Sequence, residues 1–219
     1  MSTRGTITIV FDDGYQSVYD EVIPLLKKYN IQAVFAIPIH PPKNSIENEK
    51  LASLANWQRV AKLDGHELAA HSLTHTNLTK LSDMSLTKEL QEPSNILSTK
   101  TLVYPGGAYN DQVVKESSKY YTAARGVVRG FESIPPRDPM RLKTINFSKR
   151  NFSPLRANVH ALRACIEGSW LIETYHMVSE KPSPLFHSVL LRELETHLDF
   201  ITSIPIQIKT ISDITSLQL

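Results

Sequence analysis

Two adjacent carboxylates near the start of the chain stand where they could do chemistry. Asp12 and Asp13 directly follow the apolar run at 6–11, which is typical of a buried strand. Neighbouring carboxylates repel each other, and burial increases the cost of both charges. A divalent cation would neutralise one of them. Because successive residues of an extended chain point in different directions, the other would stay free for substrate. An ordinary turn is the alternative interpretation, since Asp-Gly is common in turns.

Two histidines follow another apolar run and suggest further ligands for such a cation. His71 and His75 come directly after residues 67–70. If residues 71–75 form a helical turn, the i, i+4 spacing places both imidazoles on one face, although isolated pairs of this kind are usually coincidental surface residues. With one aspartate they make a two-histidine, one-carboxylate set with an open position, as in catalytic zinc sites. The same set can hold iron, but a spare carboxylate beside a bound water favours hydrolysis.

Two later segments also lie where predicted strands end. The turn at 104–107 contains Gly106, and glycine lets backbone amides come close to a ligand and hold a developing oxyanion. Its other interpretation is a plain turn between a strand and a helix. His176 lies late in the apolar run 170–178, where it could protonate a leaving amine. A hydrogen-bonded core histidine is the alternative there.

The elements that must position these residues alternate along the chain. Strands are predicted at 6–11, 32–39, 67–70, 101–104, 121–128, 142–147, 170–178 and 206–210. Helices are predicted at 17–29, 57–63, 83–97 (with a kink or stop near Pro93), 110–119, 158–167 and 188–201. Repeated strand-then-helix units imply a mostly parallel sheet with helices outside it. The number of units suits a closed or nearly closed barrel, in which chemistry sits at the C-terminal ends of the strands.

Length and composition limit the classes of function. The 219 residues suit one domain, 1–219, and the 41% apolar content is ordinary for a globular protein. Lys plus Arg total 24 and Asp plus Glu total 22, and the absence of a basic run argues against a nucleic-acid partner. There is no apolar run long enough for a membrane span and no leader pattern. The sequence as it stands therefore predicts a cytoplasmic protein, or an exported one if a leader was removed. Cys165 is predicted to be an inert core thiol.

Four motifs in order give the sequence a resemblance to a known family. Phe-Asp-Asp-Gly at 11–14, His-Ser-x-x-His at 71–75, Tyr-Pro-Gly-Gly at 104–107 and a late strand histidine resemble the polysaccharide deacetylases, the fourth family of carbohydrate esterases. The resemblance runs from about Thr6 to near the C-terminus. It implies a distorted (β/α) barrel of about seven strands, and hydrolysis of an acetamide on an N-acetylated sugar or glycan to a free amine and acetate. It also implies a divalent metal, zinc foremost, bound by Asp13, His71 and His75, with Asp12 as general base, the Gly106 amide as oxyanion donor and His176 as general acid.

The sequence also departs from the pattern of that family. Val103 stands where the family often has an arginine that orients the base aspartate, and the family's aspartate-tryptophan motif is not recognisable. Our hypothesis is that Arg125, on the next predicted strand, supplies the missing charge. Thr174 replaces a leucine of the acetyl pocket, and Gly106 replaces an aromatic residue, which would open the site.

Other residues and other functions stay open at this stage. His66 and Glu67 are expected to orient the backbone or the metal ligands, and Tyr15 and Tyr109 are candidates for stacking on a sugar. His40, His160, His187 and His197 are expected on the surface or in helix packing, and Trp57 and Trp170 in the core. The competing functions are an O-acetyl esterase or non-sugar amidase on the same scaffold, and a catalytically silent sugar-binding protein. The oligomeric state is not predicted.

Overall fold

The computed structural model describes residues 5–216, and in this range short strands alternate with helices. The strands are β1 (Thr6–Phe11), β2 (Val34–Ile37), β3 (Ser45–Ile46), β4 (Glu49–Lys50), β5 (Glu67–Ala70), β6 (Thr101–Val103), β7 (Ala123–Arg129), β8 (Leu142–Asn146), β9 (Trp170–Tyr175), β10 (Met177–Ser179), β11 (Ser188–Leu190) and β12 (Gln207–Ile208). The helices are α1 (Ile23–Lys28), α2 (Leu54–Asp64), α3 (Asp83–Leu97), α4 (Asp111–Ser117), α5 (Pro154–Glu167), α6 (Leu191–Ser203) and α7 (Ile211–Thr215).

Seven of the described strands close into a parallel barrel, as the sequence predicts. The order is β1, β2, β5, β6, β7, β8 and β9, and β9 pairs back to β1 along its whole length, from Thr6↔Trp170 to Phe11↔Tyr175. The short β12 pairs with the first residues of β1, while β2 pairs with its last residues. Because all these strands are parallel, their C-terminal ends meet at one end of the barrel.

Alternation along the strands separates the barrel interior from the helix layer. The interior is filled by buried apolar side chains, among them Val10, Val34, Ala36, Ala69, Val103, Ala123, Leu142, Trp170 and Ile172. Their neighbours face outward onto the helices, as Ile9 and Phe11 of β1 do. On four strands the inward position that follows at the C-terminal end is polar, and these positions are Asp12, Arg125, Asn146 and Thr174. The sequence therefore changes from apolar to polar at the mouth of the barrel.

Four predicted elements differ in form from the structure. The helix predicted at 17–29 is divided into a π-helical turn, Val18–Val22, and α1. The strand predicted at 170–178 is interrupted at His176, which lies between β9 and β10. The helix predicted at 188–201 begins only at Leu191, since residues 188–190 are extended and pair with β10. The expected kink or stop at Pro93 is wrong as a stop: α3 continues to Leu97, because Leu86, Leu90 and Pro93 share one buried face whose packing outweighs the lost hydrogen bond.

Smaller findings complete the description of the chain. The polar segment 43–55 contains a hairpin, β3–β4, and the start of α2. Cys165 is a free thiol and is only half-buried, so the prediction of a core thiol is wrong. No helix within residues 5–216 is long and apolar enough to cross a membrane, and the cellular compartment stays a prediction.

Candidate functional site

Asp13, His71 and His75 converge at the C-terminal end of the barrel. The Nε2 atoms of His71 and His75 lie 3.4 Å and 3.1 Å from Asp13 Oδ1. One ligand atom from each of the three residues falls within 4.8 Å of the others, so the cluster is able to hold a metal ion. Asp13 and His71 are almost fully buried, and the His75 side chain is 26% exposed. That exposure leaves one side of the cluster open to the cavity.

The histidines reach this arrangement without the helical turn that the sequence suggested. Residues 71–75 form an irregular loop in which Ser72 and His75 have left-handed backbones, with φ of 62° and 60°. The Ser72 hydroxyl accepts a hydrogen bond from the His75 amide at 2.9 Å. Glu89 of α3 holds this loop in place, because its carboxylate accepts hydrogen bonds from the Leu73 and Thr74 amides, each at 2.9 Å. Sequence reasoning missed Glu89, because it acts across 16 residues of chain.

The hydrogen bonding of His71 shows that the cluster suits a cation. Its Nδ1 lies 2.8 Å from the Val103 carbonyl oxygen and must donate there, because a carbonyl only accepts. In a neutral His71 the Nε2 lone pair would therefore face the Asp13 carboxylate. A positive charge between them removes this repulsion, and a proton or a metal ion can supply it. A carbonyl that fixes the tautomer in this way is a common partner of metal-binding histidines.

The close contacts within the cluster also shift the pKa values of Asp13 and His71. Burial alone would raise the pKa of Asp13, but hydrogen bonds from His71 and His75 outweigh it and hold that pKa well below its ordinary value. Burial would lower the pKa of His71, but the bond to Asp13 and the charge of Asp12 raise it instead. The site therefore favours ionised Asp13 beside positive charge.

Asp12 has a different partner from Asp13, although the two are neighbours in sequence. Its Oδ1 and Oδ2 accept from Arg125 Nη2 at 2.5 Å and 2.7 Å, and the side chains are 4% and 1% exposed. Arg125 is on β7 in register with Val103 of β6, so its side chain starts one strand away from the position where the expected arginine is missing. The structure thus brings Arg125 to Asp12, as the hypothesis requires. Asp12 Oδ2 also lies 3.7 Å from His176 Nε2.

The turn after β6 exposes the backbone at Gly106. Gly106 has φ of 59°, and the Gly107 and Ala108 amides are bonded within the turn, to Tyr104 and Pro105, at 2.8 Å and 3.2 Å. A Cβ built on Gly106 would meet no atom within 4 Å, so the space in front of it is open. By contrast, a Cβ on Gly107 would lie 2.4 Å from the Val127 side chain.

One cavity of about 400 Å³ unites all seven residues predicted to act. Asp12, Asp13, His71, His75, Gly106, Arg125 and His176 line it, together with Ile46, Glu47, Tyr104, Gly107, Val127, Asn146 and His187. Asn146 ends β8, so the strand-end rule that found the others could have found it. Glu47 lies in the β3–β4 hairpin, and no sequence signal connected that segment with the site. Thr174 bonds to Thr144 at 2.8 Å in the barrel interior and does not line this cavity.

Several residues lie elsewhere in the structure than the sequence led us to expect. His66 and Glu67 lie at the start of β5, at the opposite end of the barrel, so they do not orient the metal ligands. They orient the backbone, as the other half of the expectation has it: His66 accepts the Ala33 amide at 3.1 Å and Glu67 accepts the Ser212 amide at 2.9 Å. Tyr15 is 2% exposed and bonds to Glu47, so its ring is not available for stacking on a sugar. His187 was expected on the surface or in packing, but it lines the cavity.

The other aromatic and histidine residues agree better with their predictions. Trp57 and Trp170 are fully buried in the core. His197 packs in the helix layer, where it bonds to Asn158 and Glu173. Tyr109 contacts Tyr104, with ring centroids 4.8 Å apart and planes inclined by 32°, and remains half-buried. It is not among the residues that line the cavity, and its stacking on a sugar stays a prediction.

The sequence matches one family model and several known proteins. A family model described as polysaccharide deacetylase matches residues 2–123, more than half of the chain. The poly-β-1,6-N-acetyl-D-glucosamine N-deacetylase of Staphylococcus epidermidis is 28% identical over an alignment of 172 residues, and the match covers 69% of this chain and 58% of that protein. The same enzyme of Staphylococcus aureus strain MSSA476 is 29% identical over an alignment of 136 residues, and the match covers 54% of this chain and 47% of that protein. The chain therefore spans only about half the length of these relatives.

A solved structure has the same fold at low sequence identity. The Xyl-CE4 domain of a multidomain xylanase, from the hindgut metagenome of Trinervitermes trinervoides, gives a TM-score of 0.64 at 20% identity, over 98% of this chain and 91% of that one. At this identity the likeness shows a shared fold, and that fold is the (β/α) barrel described above.

Proposed function

The chain belongs to the polysaccharide deacetylase family, and from this premise we propose that it is a metal-dependent hydrolase that removes N-acetyl groups from an N-acetylated glycan. The observation that carries the proposal is the separation of the two adjacent carboxylates. Asp13 faces two histidines, while Asp12 faces Arg125 and His176. Asp13 is therefore placed to bind a cation, and Asp12 is placed to accept and release protons, within the same cavity. A silent binding site would not require the second arrangement.

We propose that Asp13, His71 and His75 hold a divalent cation, and that this cation is zinc. Two imidazoles and one carboxylate are the donor set of many catalytic zinc sites, which keep a further position open. When bound, such a cation lowers the pKa of a coordinated water molecule and polarises a carbonyl oxygen.

Each of the remaining residues has its own role in amide hydrolysis. Asp12 accepts a proton from the attacking water, and Arg125 holds its carboxylate in place through both oxygens. The Gly106 amide donates to the oxygen of the tetrahedral intermediate. His176 gives a proton to the nitrogen as the carbon–nitrogen bond breaks, and the products are a free amine and acetate. Burial lowers the pKa of His176, which makes its imidazolium form a stronger acid.

The relatives indicate the class of substrate. The matched staphylococcal proteins are named as N-deacetylases of poly-β-1,6-N-acetyl-D-glucosamine, so we propose a polymer of N-acetylglucosamine as substrate. Residues 1–219 would form one catalytic domain acting on it. The open space in front of Gly106 is consistent with a polymer that crosses the cavity.

The proposal is tested with the zinc-loaded protein and oligomers of N-acetylglucosamine. Release of acetate, together with an equal amount of new free amine, is the expected result, and a chelator should abolish both. O-acetylated oligomers provide the comparison. Acetate released only from those substrates would reject the N-deacetylase in favour of an esterase. Binding without release from either type would support a silent sugar-binding protein.

A further inference from the structure

Two histidine rings stack on each other at one side of the cavity. The ring centroids of His176 and His187 are 4.7 Å apart, and their planes are inclined by 29°. His187 is 11 residues further along the chain, in a segment with no resemblance to a functional motif. Its ring covers one face of the imidazole that we propose as the general acid.

The stack follows from the register of the small sheet next to the barrel. β10 and β11 are parallel, with Met177 opposite Ser188 and Val178 opposite Val189. His176 and His187 immediately precede these pairs, so they occupy the next position of the same register. Adjacent strands lie about 4.8 Å apart, which is close to the separation of the two rings. Val178 and Val189 are buried in the core, so the register that brings the histidines together is well anchored.

A second aromatic ring also contacts His187. The Phe186 ring meets it edge-on, with centroids 4.8 Å apart and planes at 86°. The Phe186 carbonyl accepts the Lys149 amide at 3.3 Å, and the Arg150 guanidinium lies 5.1 Å from the Phe186 ring centre. The segment before β11 is thus tied to the loop after β8, and His187 has little freedom to leave the stack.

His176 lacks the hydrogen bond that usually orients a catalytic histidine. Its Nδ1 is buried and has no hydrogen-bond partner within residues 5–216. Its Nε2 faces Asp12 Oδ2 at 3.7 Å, which is beyond hydrogen-bond distance. No hydrogen bond between described residues therefore fixes the ring plane, and the stacked ring of His187 restricts it.

We infer that His187 is a positioning residue, which holds the His176 imidazole in the plane that directs Nε2 into the cavity. The inference rests on the proposed function, because His176 matters to the rate only if it donates the proton. His187 itself needs no hydrogen bond to substrate in this role. What it supplies is a flat ring at a fixed distance, and phenylalanine can supply the same.

The experiment compares His187→Ala and His187→Phe, with His40→Ala as control for loss of an exposed histidine outside the cavity. His187→Ala should lower kcat by about 10- to 100-fold with little change in KM, since misplacing a catalytic group by about 1 Å costs of this order. His187→Phe should recover most of that loss. In a His176→Ala background, His187→Ala should change the remaining kcat by less than about twofold, because coupled residues are not additive.

Three results would overturn the inference. A rise in KM in both His187 variants would indicate direct contact with substrate. Failure of phenylalanine to rescue would show that the ring stack is not the source of the effect. A full additional loss in the His176→Ala background would mean that His187 acts independently.

A measurement without substrate separates this inference from the proposed function. In protein labelled with ¹⁵N-histidine, the His176 ring signals should be sharp in wild type and His187→Phe, and broadened by motion in His187→Ala. Unchanged signals in His187→Ala would refute the positioning role. If wild type released no acetate but the ring signals changed as expected, the proposed function would be rejected. The positioning of the His176 ring by His187 would still stand.

Discussion

Replacing Arg125 with alanine leaves a carboxylate buried without its partner. Asp12 and Arg125 are 4% and 1% exposed, and one guanidinium nitrogen contacts both carboxylate oxygens. Removing one member of a buried pair typically costs about 3–5 kcal/mol. A loss of about 4 kcal/mol changes the folding equilibrium roughly 10³-fold, and for a chain of this size lowers Tm by roughly 10 °C. The same change frees the Asp12 carboxylate to rotate, so kcat should fall about 100-fold.

The assay pairs thermal unfolding with acetate release, and compares Arg125→Ala with Arg129→Ala. Arg129 lies on the same strand, but its side chain is exposed, and it contacts His160 at 3.3 Å rather than Asp12. Arg125→Lys covers the case in which the alanine variant fails to fold. Lysine keeps the charge but has only one nitrogen, so it loses the second hydrogen bond, from Arg125 Nη1 to the Gly126 carbonyl at 3.1 Å. It should therefore retain more stability than alanine and still lose turnover.

A double-mutant cycle with Asp12→Asn shows whether the two side chains act on each other. If they do, the coupling energy should be about 2 kcal/mol or more, and Asp12→Asn should reduce the stability cost of Arg125→Ala. The reasoning is refuted if Arg125→Ala changes Tm and kcat as little as Arg129→Ala does. It is also refuted if the effects of Arg125→Ala and Asp12→Asn on stability simply add.

Three further predictions concern the metal cluster, the glycine turn and the opposite end of the barrel. His71→Ala should remove stoichiometric zinc, measured by elemental analysis, and added zinc should not restore turnover; full activity in this variant would contradict the ligand assignment. Gly106→Ala should lower the free energy of unfolding by about 1–2 kcal/mol, because alanine would have to adopt a left-handed backbone there. Gly107→Ala should lower it further, because the added Cβ would also clash with Val127. Denaturant titration measures both values, and equal losses would contradict the geometry. Burial raises the pKa of Glu67 above its ordinary value of 4.5, so its contribution to stability is present below pH 4.5 and is lost as pH rises through the raised pKa. Glu67→Gln should therefore gain stability relative to wild type as pH rises above 4.5, and a difference that stays constant with pH would refute the shift.

Local patterns were sufficient to predict the barrel and most of the residues in its mouth. The run at 67–70 has the same bounds as β5, because Gly65 ends the preceding helix in a left-handed conformation and the loop after His71 cannot continue the strand. The rule that chemistry lies at the C-terminal ends of parallel strands then selects Asp12 and His176 without knowledge of the fold's details.

Contacts that depend on long-range packing could not be predicted in this way. The loop that carries His71 and His75 has its shape because Glu89 accepts two of its amides, and no local pattern indicates that bond. His187 reaches the cavity only through the register of β10 and β11. That register in turn requires a short strand at 188–190, where the apolar spacing indicated a helix.

In the proposed mechanism, Asp12 moves the proton while Asp13, His71 and His75 hold the cation. The most direct measurement is acetate release from N-acetylglucosamine oligomers by wild type and Asp12→Asn, with the zinc content of both determined on the same samples. Asp20→Asn, at an exposed position, is the matched control. Asp12→Asn should bind as much zinc as wild type and release acetate at least about 100-fold more slowly. Undiminished release by zinc-loaded Asp12→Asn would rule out Asp12 as the base.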